Sequence, residues 1–275
     1  MLALIPYFSI PLMELGPLVL DSWAILVSLG FIAGLEICRA RGIRLGLEVK
    51  DIVDGALFIV GMGFVVGHLV HVLAYNPQML DEEGIWALLR IWAGFSSTGG
   101  FIGALIGAAL FYKVIRPREF WLHADTIMFG FPFGWFLGRM GCFSAHDHIG
   151  ASSEFLLAVN FPEPWGPRHD LGLYEALFTL LICGVFWSLR NKAVRPGLFT
   201  AIFGAMYAPI RFTLDFLRNT DLNGADVRYA GLTPAQFGMI AMFIASVSMI
   251  VWIQRSEGGR VLPAPAKGDR SEPAE

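Results

Sequence analysis

Seven apolar runs, each long enough to cross a bilayer as a helix, restrict the fold of this chain more than any other feature. They cover residues about 17–38, 52–74, 94–115, 125–143, 171–189, 196–217 and 232–253. Roughly 17–25 apolar residues in a helix span the hydrocarbon layer, and lipid offers no partner to unpaired backbone groups. We therefore predict an all-α integral membrane protein with seven transmembrane helices.

The composition agrees with this class. Hydrophobic residues make up 55% of the 275 residues and charged residues 16%, which is more apolar than a soluble domain tolerates. The net charge of −3 predicts no nucleic-acid partner, and the three cysteines have no spacing typical of a disulfide framework or a zinc ribbon. We expect one membrane domain, residues 1–254, and a polar tail, residues 255–275, that is rich in Pro and Gly and disordered.

The basic residues predict the orientation of the spans. Fourteen of the twenty Lys and Arg residues fall on one side if the spans alternate, and cations concentrate in cytoplasmic loops. The N-terminus is then predicted outside and the C-terminus inside. The fourteen lie after spans one, three, five and seven: Arg39, Arg41, Arg44, Lys50, Lys113, Arg116, Arg118, Arg190, Lys192, Arg195, Arg255, Arg260, Lys267 and Arg270.

Polar side chains collect near the outer ends of four spans. Span four ends in GRMGCFSAHDHIG, residues 138–150, which follows a run with almost no charge. In span six, steps of four and three residues place several polar groups on one helical stripe. The full set is His68, His71, Tyr75 and Asn76 (span two), Arg139, Cys142, His146, Asp147 and His148 (span four), Arg168, His169, Asp170, Tyr174 and Glu175 (expected in the first turns of span five), and Tyr207, Arg211, Asp215 and Arg218 (span six).

Each of these residues also has a simpler explanation. A single arginine at a span end is commonly a snorkelling anchor, Tyr and Trp there form interfacial belts, and Glu175 would neutralise an arginine of a neighbouring helix. Ionisable groups at membrane depth face a polar cavity or each other. The agreement of four spans at one depth favours a shared polar pocket that opens to the outer leaflet.

The pocket chemistry favours a phospholipid. A pair of arginines such as Arg139 and Arg211 binds phosphate or carboxylate through two parallel hydrogen bonds, and the apolar spans would receive the acyl chains. Glu175 and Asp215 are the carboxylates expected to hold the arginines in place. A histidine of the outer side would supply proton transfer near neutral pH, whereas His123 lies near the inner face and is expected to be uninvolved.

Two alternatives use the same residues differently. His68, His71, His146, Asp147 and His148 offer donors for Zn²⁺ or Fe²⁺, but their spacing matches no metal motif, and we predict neither a metal nor a cofactor. Cys142 beside Arg139 is a candidate nucleophile, although a cysteine at a span end is more commonly a small packing residue.

Six segments resemble the prolipoprotein diacylglyceryl transferase family of bacterial inner-membrane enzymes. GRMGCF resembles the family signature G-R-x-G-N-F, and RHDLGLYEA is similar to its R-H-P-S-Q-L-Y-E segment. YAPIRFTLDFLRNTD resembles Y-G-x-x-R-F-x-x-E-F-x-R-x-P-D, and GLTPAQFGMI resembles the start of the last span. LAYNPQ, which contains Asn76, and RIWAG…GG also fit. The resemblance covers about residues 17–253 in order, with seven spans and the same orientation.

The resemblance implies a function and a location. Members move a diacylglyceryl group from phosphatidylglycerol to a cysteine thiol of a prolipoprotein, at the periplasmic face of the bacterial inner (cytoplasmic) membrane. It further implies the following site residues: Arg139 and Arg211 to clamp the lipid phosphate, Asp147 where the family has a glutamate, Gly150 for the glycine of the signature, Arg168, Tyr174 and Glu175 from the span-five segment, and Tyr207, Asp215 and Arg218 from the span-six motif.

Three departures from the family pattern define the hypotheses. The catalytic histidine of S-F-H-G-G is missing from SSTGG (96–100), Cys142 replaces the signature asparagine, and Ala24 replaces a tyrosine. Either the base has moved, with His71 or His68 as first candidates, or the lipid or acceptor has changed, or catalysis has been lost. The leading hypothesis is a transferase that acts on phosphatidylglycerol or another anionic phospholipid; the alternatives are a non-catalytic phospholipid-binding protein and a metal-dependent membrane enzyme.

Overall fold

The computed structural model describes residues 5–15, 18–91, 93–222 and 228–256, so the predicted disordered tail lies almost wholly outside the described residues. The described part is mostly helical. Its α-helices are α1 (Ser22–Arg44), α2 (Val49–Val70), α3 (Gln78–Glu83), α4 (Ser97–Leu110), α5 (Phe120–Ala145), α6 (Leu171–Leu189), α7 (Leu198–Leu214) and α8 (Pro234–Arg255). Single π-helical turns extend α2 over His71–Tyr75 and α4 over Phe111–Ile115.

Five helices are long and apolar enough to cross a membrane: Ser22–Arg44, Val49–Tyr75, Ser97–Ile115, Leu171–Leu189 and Pro234–Arg255. They correspond to predicted spans one, two, three, five and seven. Helices α5 and α7 occupy predicted spans four and six but are not among the five. Helix α7 is too short, with only 17 residues. Helix α5 is less apolar because it carries His123, Asp125 and Arg139.

Helix α1 begins and ends several residues later than predicted span one. Asp21 accepts a hydrogen bond from the Ala24 backbone at 2.5 Å, so this N-cap starts α1 at Ser22. The helix also continues to Arg44, past the charged residues that suggested an end. It can do so because Arg41 is buried over the rings of Phe129 and Phe199, 4.4 and 4.5 Å from their centroids.

Short strands correct the prediction of an all-α chain. They are β1 (Ile5–Pro6), β2 (Met13–Leu15), β3 (Leu18–Leu20), β4 (Ile149–Ser152), β5 (Val159–Phe161) and β6 (Gly166–Asp170). A four-stranded sheet has the order β1-β5-β6-β4, and β2 and β3 form an antiparallel pair. The segments between α5 and α6 lie outside the apolar runs, where backbone groups can pair across strands without the constraint that lipid imposes.

Strand β6 also contradicts one detail of the site prediction. Arg168, His169 and Asp170 were expected in the first turns of span five but lie in β6, before α6 begins at Leu171. The carboxylate of Asp170 accepts a hydrogen bond from the Leu173 backbone at 3.1 Å. Since an N-cap residue has non-helical backbone angles, the helix can begin only after Asp170.

Glycines let the two helices at the centre of the fold approach closely. Helix α1 packs most extensively against α5. A Cβ atom added to Gly30 would lie 2.6 Å from the carbonyl oxygen of Gly134, and one added to Gly134 would lie 2.5 Å from that of Gly30. Small residues at such a crossing are typical of helix packing in membranes, and this crossing fixes the position of α5, which carries Arg139.

A buried carboxylate joins α5 to α7 at the end of the helices opposite Arg139. Asp125 accepts hydrogen bonds from the backbone of Gly197 at 2.7 Å, of Phe199 at 3.2 Å and of Thr200 at 2.9 Å. This satisfies the free N–H groups at the start of α7. Asp125 lies 14 positions before Arg139, or about 20 Å along the helix. The contact therefore sets how far α7 extends beside α5, and hence the depth of Arg211.

Candidate functional site

The carboxylate of Glu175 on α6 is the centre of a buried polar cluster. Its Oε1 lies 2.9 Å from Arg139 Nε, and its Oε2 lies 3.8 Å from Arg211 Nε. Tyr207 donates its hydroxyl to Oε1 at 2.5 Å, and Trp135 donates its indole N–H to Oε1 at 3.2 Å. Three helices, α5, α6 and α7, thus bring two guanidinium groups onto one carboxylate, with side-chain exposures of 8% for both arginines and 4% for Glu175.

A second carboxylate extends the cluster to α8. Asp215 directly follows α7, where it pairs with Arg211 and lies 3.6 Å from Arg218. It also accepts a hydrogen bond from the Thr233 hydroxyl, and Thr233 caps α8 together with Gln236. Asp215 therefore holds Arg211 in place and connects α7 to the start of α8.

Arg218 corrects the prediction of one continuous stripe on span six. Helix α7 ends at Leu214, a 3₁₀ turn covers Asp215–Leu217, and Arg218 is extended, with φ −66° and ψ 148°. Its backbone pairs with Gly150 of β4, which draws the chain out of the helix. The side chain still faces Asp215 and is 25% exposed, so Arg218 is the most accessible cation of the cluster.

Two carboxylates hold the three arginines of the cluster. Glu175 pairs with Arg139 and Arg211, and Asp215 pairs with Arg211 and Arg218. The two carboxylates reduce the desolvation cost of the buried arginines. The N–H groups of the guanidiniums that these pairings leave over suit an anionic group such as a phosphodiester.

Arg139 also contacts the segment after α5. Its Nη1 lies 3.8 Å from Cys142 Sγ and 3.5 Å from His148 Nε2. The other ring nitrogen of His148 pairs with the carboxylate of Asp147. Burial lowers the pKa of the His148 imidazole, but hydrogen bonds to Asp147 and to Cys142 outweigh burial and raise the pKa to about 9.

The same three residues offer the only arrangement of metal donors found among the described residues. One donor atom each from Cys142, Asp147 and His148 lies within 4.8 Å of the others. The guanidinium of Arg139 is within 3.8 Å of two of these donors, and its positive charge opposes a metal cation there. His68, His71 and His146, which the metal hypothesis included, have their contacts elsewhere.

His146 has a structural position. It ends α5 in the left-handed conformation, with φ 49°. Its Nδ1 lies 2.7 Å from the carboxylate of Asp170, and its Nε2 lies 3.2 Å from the carbonyl oxygen of Phe8. One carboxylate thus caps α6 and holds His146, which fixes the start of the loop that carries His148.

Arg168 and its neighbours form a layer beside the cluster rather than part of it. Arg168 donates to both carboxylate oxygens of Asp221, at 3.0 and 2.5 Å, and to the carbonyl of Gly150 at 3.2 Å. These hydrogen bonds hold the pKa of Asp221 below its usual range. Tyr174 pairs with His169 at 2.9 Å.

A Cβ atom on Gly150 would lie 2.6 Å from the carbonyl oxygen of Leu217, so the glycine permits the pairing of β4 with Arg218.

The structure does not bring His68 and His71 to the arginines. Both ring nitrogens of His68 are engaged by backbone carbonyls, those of Gly94 at 2.9 Å and Ala87 at 2.8 Å. His71 Nε2 lies 3.2 Å from the side-chain amide of Asn76. Equal depth along a span does not specify which helix face a residue occupies. The hydrogen bonds of His68 attach α2 to the segment before α4.

Two residues at the site, Trp135 and Thr233, were not singled out from the sequence. Trp135 lies under the Arg139 guanidinium, 4.5 Å from the ring centroid, and also contacts Glu175. Thr233 was detectable, since T-P-A-Q is a capping-box pattern at the start of an apolar run. Thr98 stands where the family pattern has its histidine, and its buried hydroxyl makes no hydrogen bond within the described part of the chain.

Comparisons with known proteins give one consistent result. The sequence model of the family named prolipoprotein diacylglyceryl transferase matches residues 11–252. A phosphatidylglycerol–prolipoprotein diacylglyceryl transferase of Chromohalobacter salexigens is 31% identical over 246 residues, which are 88% of this chain and 91% of the relative. A protein of the same name from Nitratidesulfovibrio vulgaris is 30% identical over 262 residues, which are 91% of this chain and 95% of the relative. Another from Escherichia fergusonii is 29% identical over 280 residues, which are 91% of this chain and 94% of the relative.

Proposed function

Because this chain belongs to the prolipoprotein diacylglyceryl transferase family, we propose that it moves a diacylglyceryl group from phosphatidylglycerol to a cysteine thiol of a prolipoprotein. It is a transferase, and it has several apolar helices of membrane-spanning length. The names of its relatives contain both substrates. The supporting observation in this chain is that Arg139 and Arg211 share the carboxylate of Glu175.

The arginine cluster suits the phosphate of phosphatidylglycerol. The phosphodiester is anionic, and the guanidinium groups of Arg139 and Arg211, both held by Glu175, are suited to donate hydrogen bonds to its oxygens. The two carboxylates and the Trp135 ring hold the guanidinium groups before substrate arrives. Such preorganised donors contribute most where charge develops during the reaction.

The proposed reaction increases the negative charge at this place. The acceptor sulfur, as thiolate, attacks the diacylglyceryl carbon that carries the phosphate oxygen. The carbon–oxygen bond breaks, its electron pair stays on that oxygen, and glycerol phosphate leaves as a new thioether forms. The phosphate passes from one negative charge toward two, so donors aimed at it bind the transition state more strongly than the ground state.

We further propose that the chain forms seven spans, with the N-terminus outside and residues 1–254 as one membrane domain. On this proposal the protein is a multi-pass protein of the bacterial inner membrane, the arginine cluster faces the periplasm, and residues 255–275 form a cytoplasmic tail. The basic connections support this orientation. Asp51 pairs with Arg116 and Arg118 at 3.3 and 2.5 Å in the proposed cytoplasmic end, and Asp125 and Arg139 lie at opposite ends of α5.

Complementation tests the function directly. In a bacterial strain depleted of its own diacylglyceryl transferase, expression of this chain is expected to restore growth and lipoprotein modification. Prolipoprotein lipidation is read by the mobility of a reporter lipoprotein, and membrane insertion is checked by fractionation.

One feature favours the second candidate, a phospholipid-binding protein without catalysis: Thr98 occupies the position of the family histidine. On that account the inserted protein binds phosphatidylglycerol vesicles yet leaves the reporter unmodified and the strain unable to grow. This outcome would contradict the transferase assignment.

A further inference from the structure

His148 is the histidine that contacts the arginine cluster in the described part of the chain. Its Nε2 lies 3.5 Å from Arg139 Nη1, and its Nδ1 pairs with Asp147. The backbone of His148 is held in place, because its carbonyl accepts a hydrogen bond from the Leu171 backbone at 3.0 Å at the start of α6. Two residues earlier, His146 is held by Asp170 at 2.7 Å.

The contact between His148 and Arg139 joins two hydrogen-bond donors when the His148 ring is protonated. A guanidinium has donors and no acceptor, and an imidazolium has a donor on each nitrogen. Asp147 occupies Nδ1 of His148, and Glu175 occupies Nε of Arg139 at 2.9 Å. The groups that remain, Nε2 and Nη1, face each other, and the sulfur of Cys142 lies 3.8 Å from Nη1. An oxyanion placed against both donors would relieve their repulsion.

Resting on the function proposed above, we infer that His148 is a catalytic residue of this chain: it binds the lipid phosphate together with Arg139 and protonates the phosphate oxygen that leaves. Asp147 is then a positioning residue, which orients the ring through Nδ1 and leaves the Nε2 proton for the substrate. The histidine that the family carries before the third span is absent here, and His148 lies at a different place in the chain, after α5.

The proposed step balances as follows. The thiolate attacks the diacylglyceryl carbon, the carbon–oxygen bond breaks, and the released oxygen takes the proton from His148 Nε2. The products are the thioether, glycerol phosphate with one proton on its phosphate, and a neutral imidazole. The acceptor thiol loses its own proton to water beforehand, and the imidazole regains one from water afterwards, so no other reactant is needed.

The charged surroundings of His148 agree with an acid. Asp147 lies beside it, Arg139 and Cys142 face it from α5, and Glu175 on α6 interacts with it electrostatically. With a pKa of about 9, the imidazole is protonated at neutral pH. The group is needed in its protonated form, so its contribution is complete below this pKa and is lost as the pH rises through it.

Steady-state kinetics of the purified full chain with phosphatidylglycerol vesicles and a prolipoprotein peptide test the inference. His148→Asn keeps a hydrogen-bonding group near Asp147, and His148→Gln keeps one near Arg139, but neither can titrate. General acid catalysis contributes about 100-fold or more, so both variants are expected to lower kcat about 100-fold and to raise KM for the lipid much less. Wild-type kcat/KM is expected to decline above about pH 9, and this decline should be absent in both variants.

Two further variants separate catalysis from structure. Asp147→Asn removes the anion that raises the pKa of His148, so the decline is expected at a lower pH than in the wild type. His123→Asn is the matched control, because it changes a histidine at the end of α5 opposite Arg139, and it should keep the wild-type kcat and pH profile. If the wild type transfers the lipid while either His148 variant keeps its kcat and its alkaline decline, the inference is wrong. An inactive wild type would instead refute the proposed function itself.

Discussion

Arg139→Ala is expected to lower kcat/KM for diacylglyceryl transfer about 1000-fold, the range seen when one preorganised donor to a developing anion is removed. The substitution removes a guanidinium that meets both Glu175 and His148. One of the two guanidinium groups proposed to bind the lipid phosphate is then lost. Glu175 keeps Arg211, Tyr207 and Trp135 as partners, and the protein should therefore still fold and insert.

Two companion variants define the result. Arg139→Lys retains the charge but not the planar fork, and a lysine does not replace an arginine where two parallel hydrogen bonds are required; a loss of about 100-fold is expected. Arg90→Ala removes a more exposed arginine that pairs with Glu83, and its activity should equal that of the wild type. Transfer by Arg139→Ala within a few-fold of wild type, in protein that elutes as a single folded species, would remove Arg139 from the mechanism.

Glu175→Gln is expected to destabilise the folded protein by about 3–5 kcal/mol, the cost of removing one partner from a buried ion pair. The amide keeps the shape of the side chain and one oxygen for Tyr207, but it leaves Arg139 and Arg211 facing each other without a charge between them. The loss should appear as a lower midpoint of thermal unfolding in detergent, together with a loss of transfer activity.

The matched control is Glu82→Gln, which removes the same charge from an exposed position on α3. Its unfolding midpoint should stay at the wild-type value. An unchanged midpoint for Glu175→Gln would mean that the carboxylate does not compensate the two arginines in solution, and the description of the cluster would have to be revised.

The sequence predicted the helices better than their ends. Span five, 171–189, coincides with α6, because its apolar run stops where the cap residue Asp170 and the polar residue Arg190 stand. Span one missed the end of its helix, because Arg41 is buried on aromatic rings of α5 and α7, a tertiary contact that hydropathy does not contain. Strand β1 was missed since its pairing partner β5 is distant in sequence, and the other strands were missed since they have only three to five residues each.

The residues of the candidate site were likewise predicted only in part. Helical spacing predicted that Tyr207 and Arg211 share one face of span six. Position along the spans predicted that Arg139 and Glu175 lie at the same depth. The structure brings these four side chains into contact. His68 and His71 share that depth, but their contacts lie with Ala87, Gly94 and Asn76. Depth follows from position along a span, whereas the facing direction depends on helix packing, which the glycines of α1 and α5 help to set.

Mass spectrometry of a prolipoprotein peptide, incubated with the purified chain and phosphatidylglycerol, tests the central claim most directly. We predict that the cysteine-containing fragment gains the mass of one diacylglyceryl group as a thioether and that one glycerol phosphate is released for each modified peptide. A peptide that stays unmodified, beside wild-type protein that is folded and binds the lipid, would contradict the claim that the arginine cluster serves this transfer.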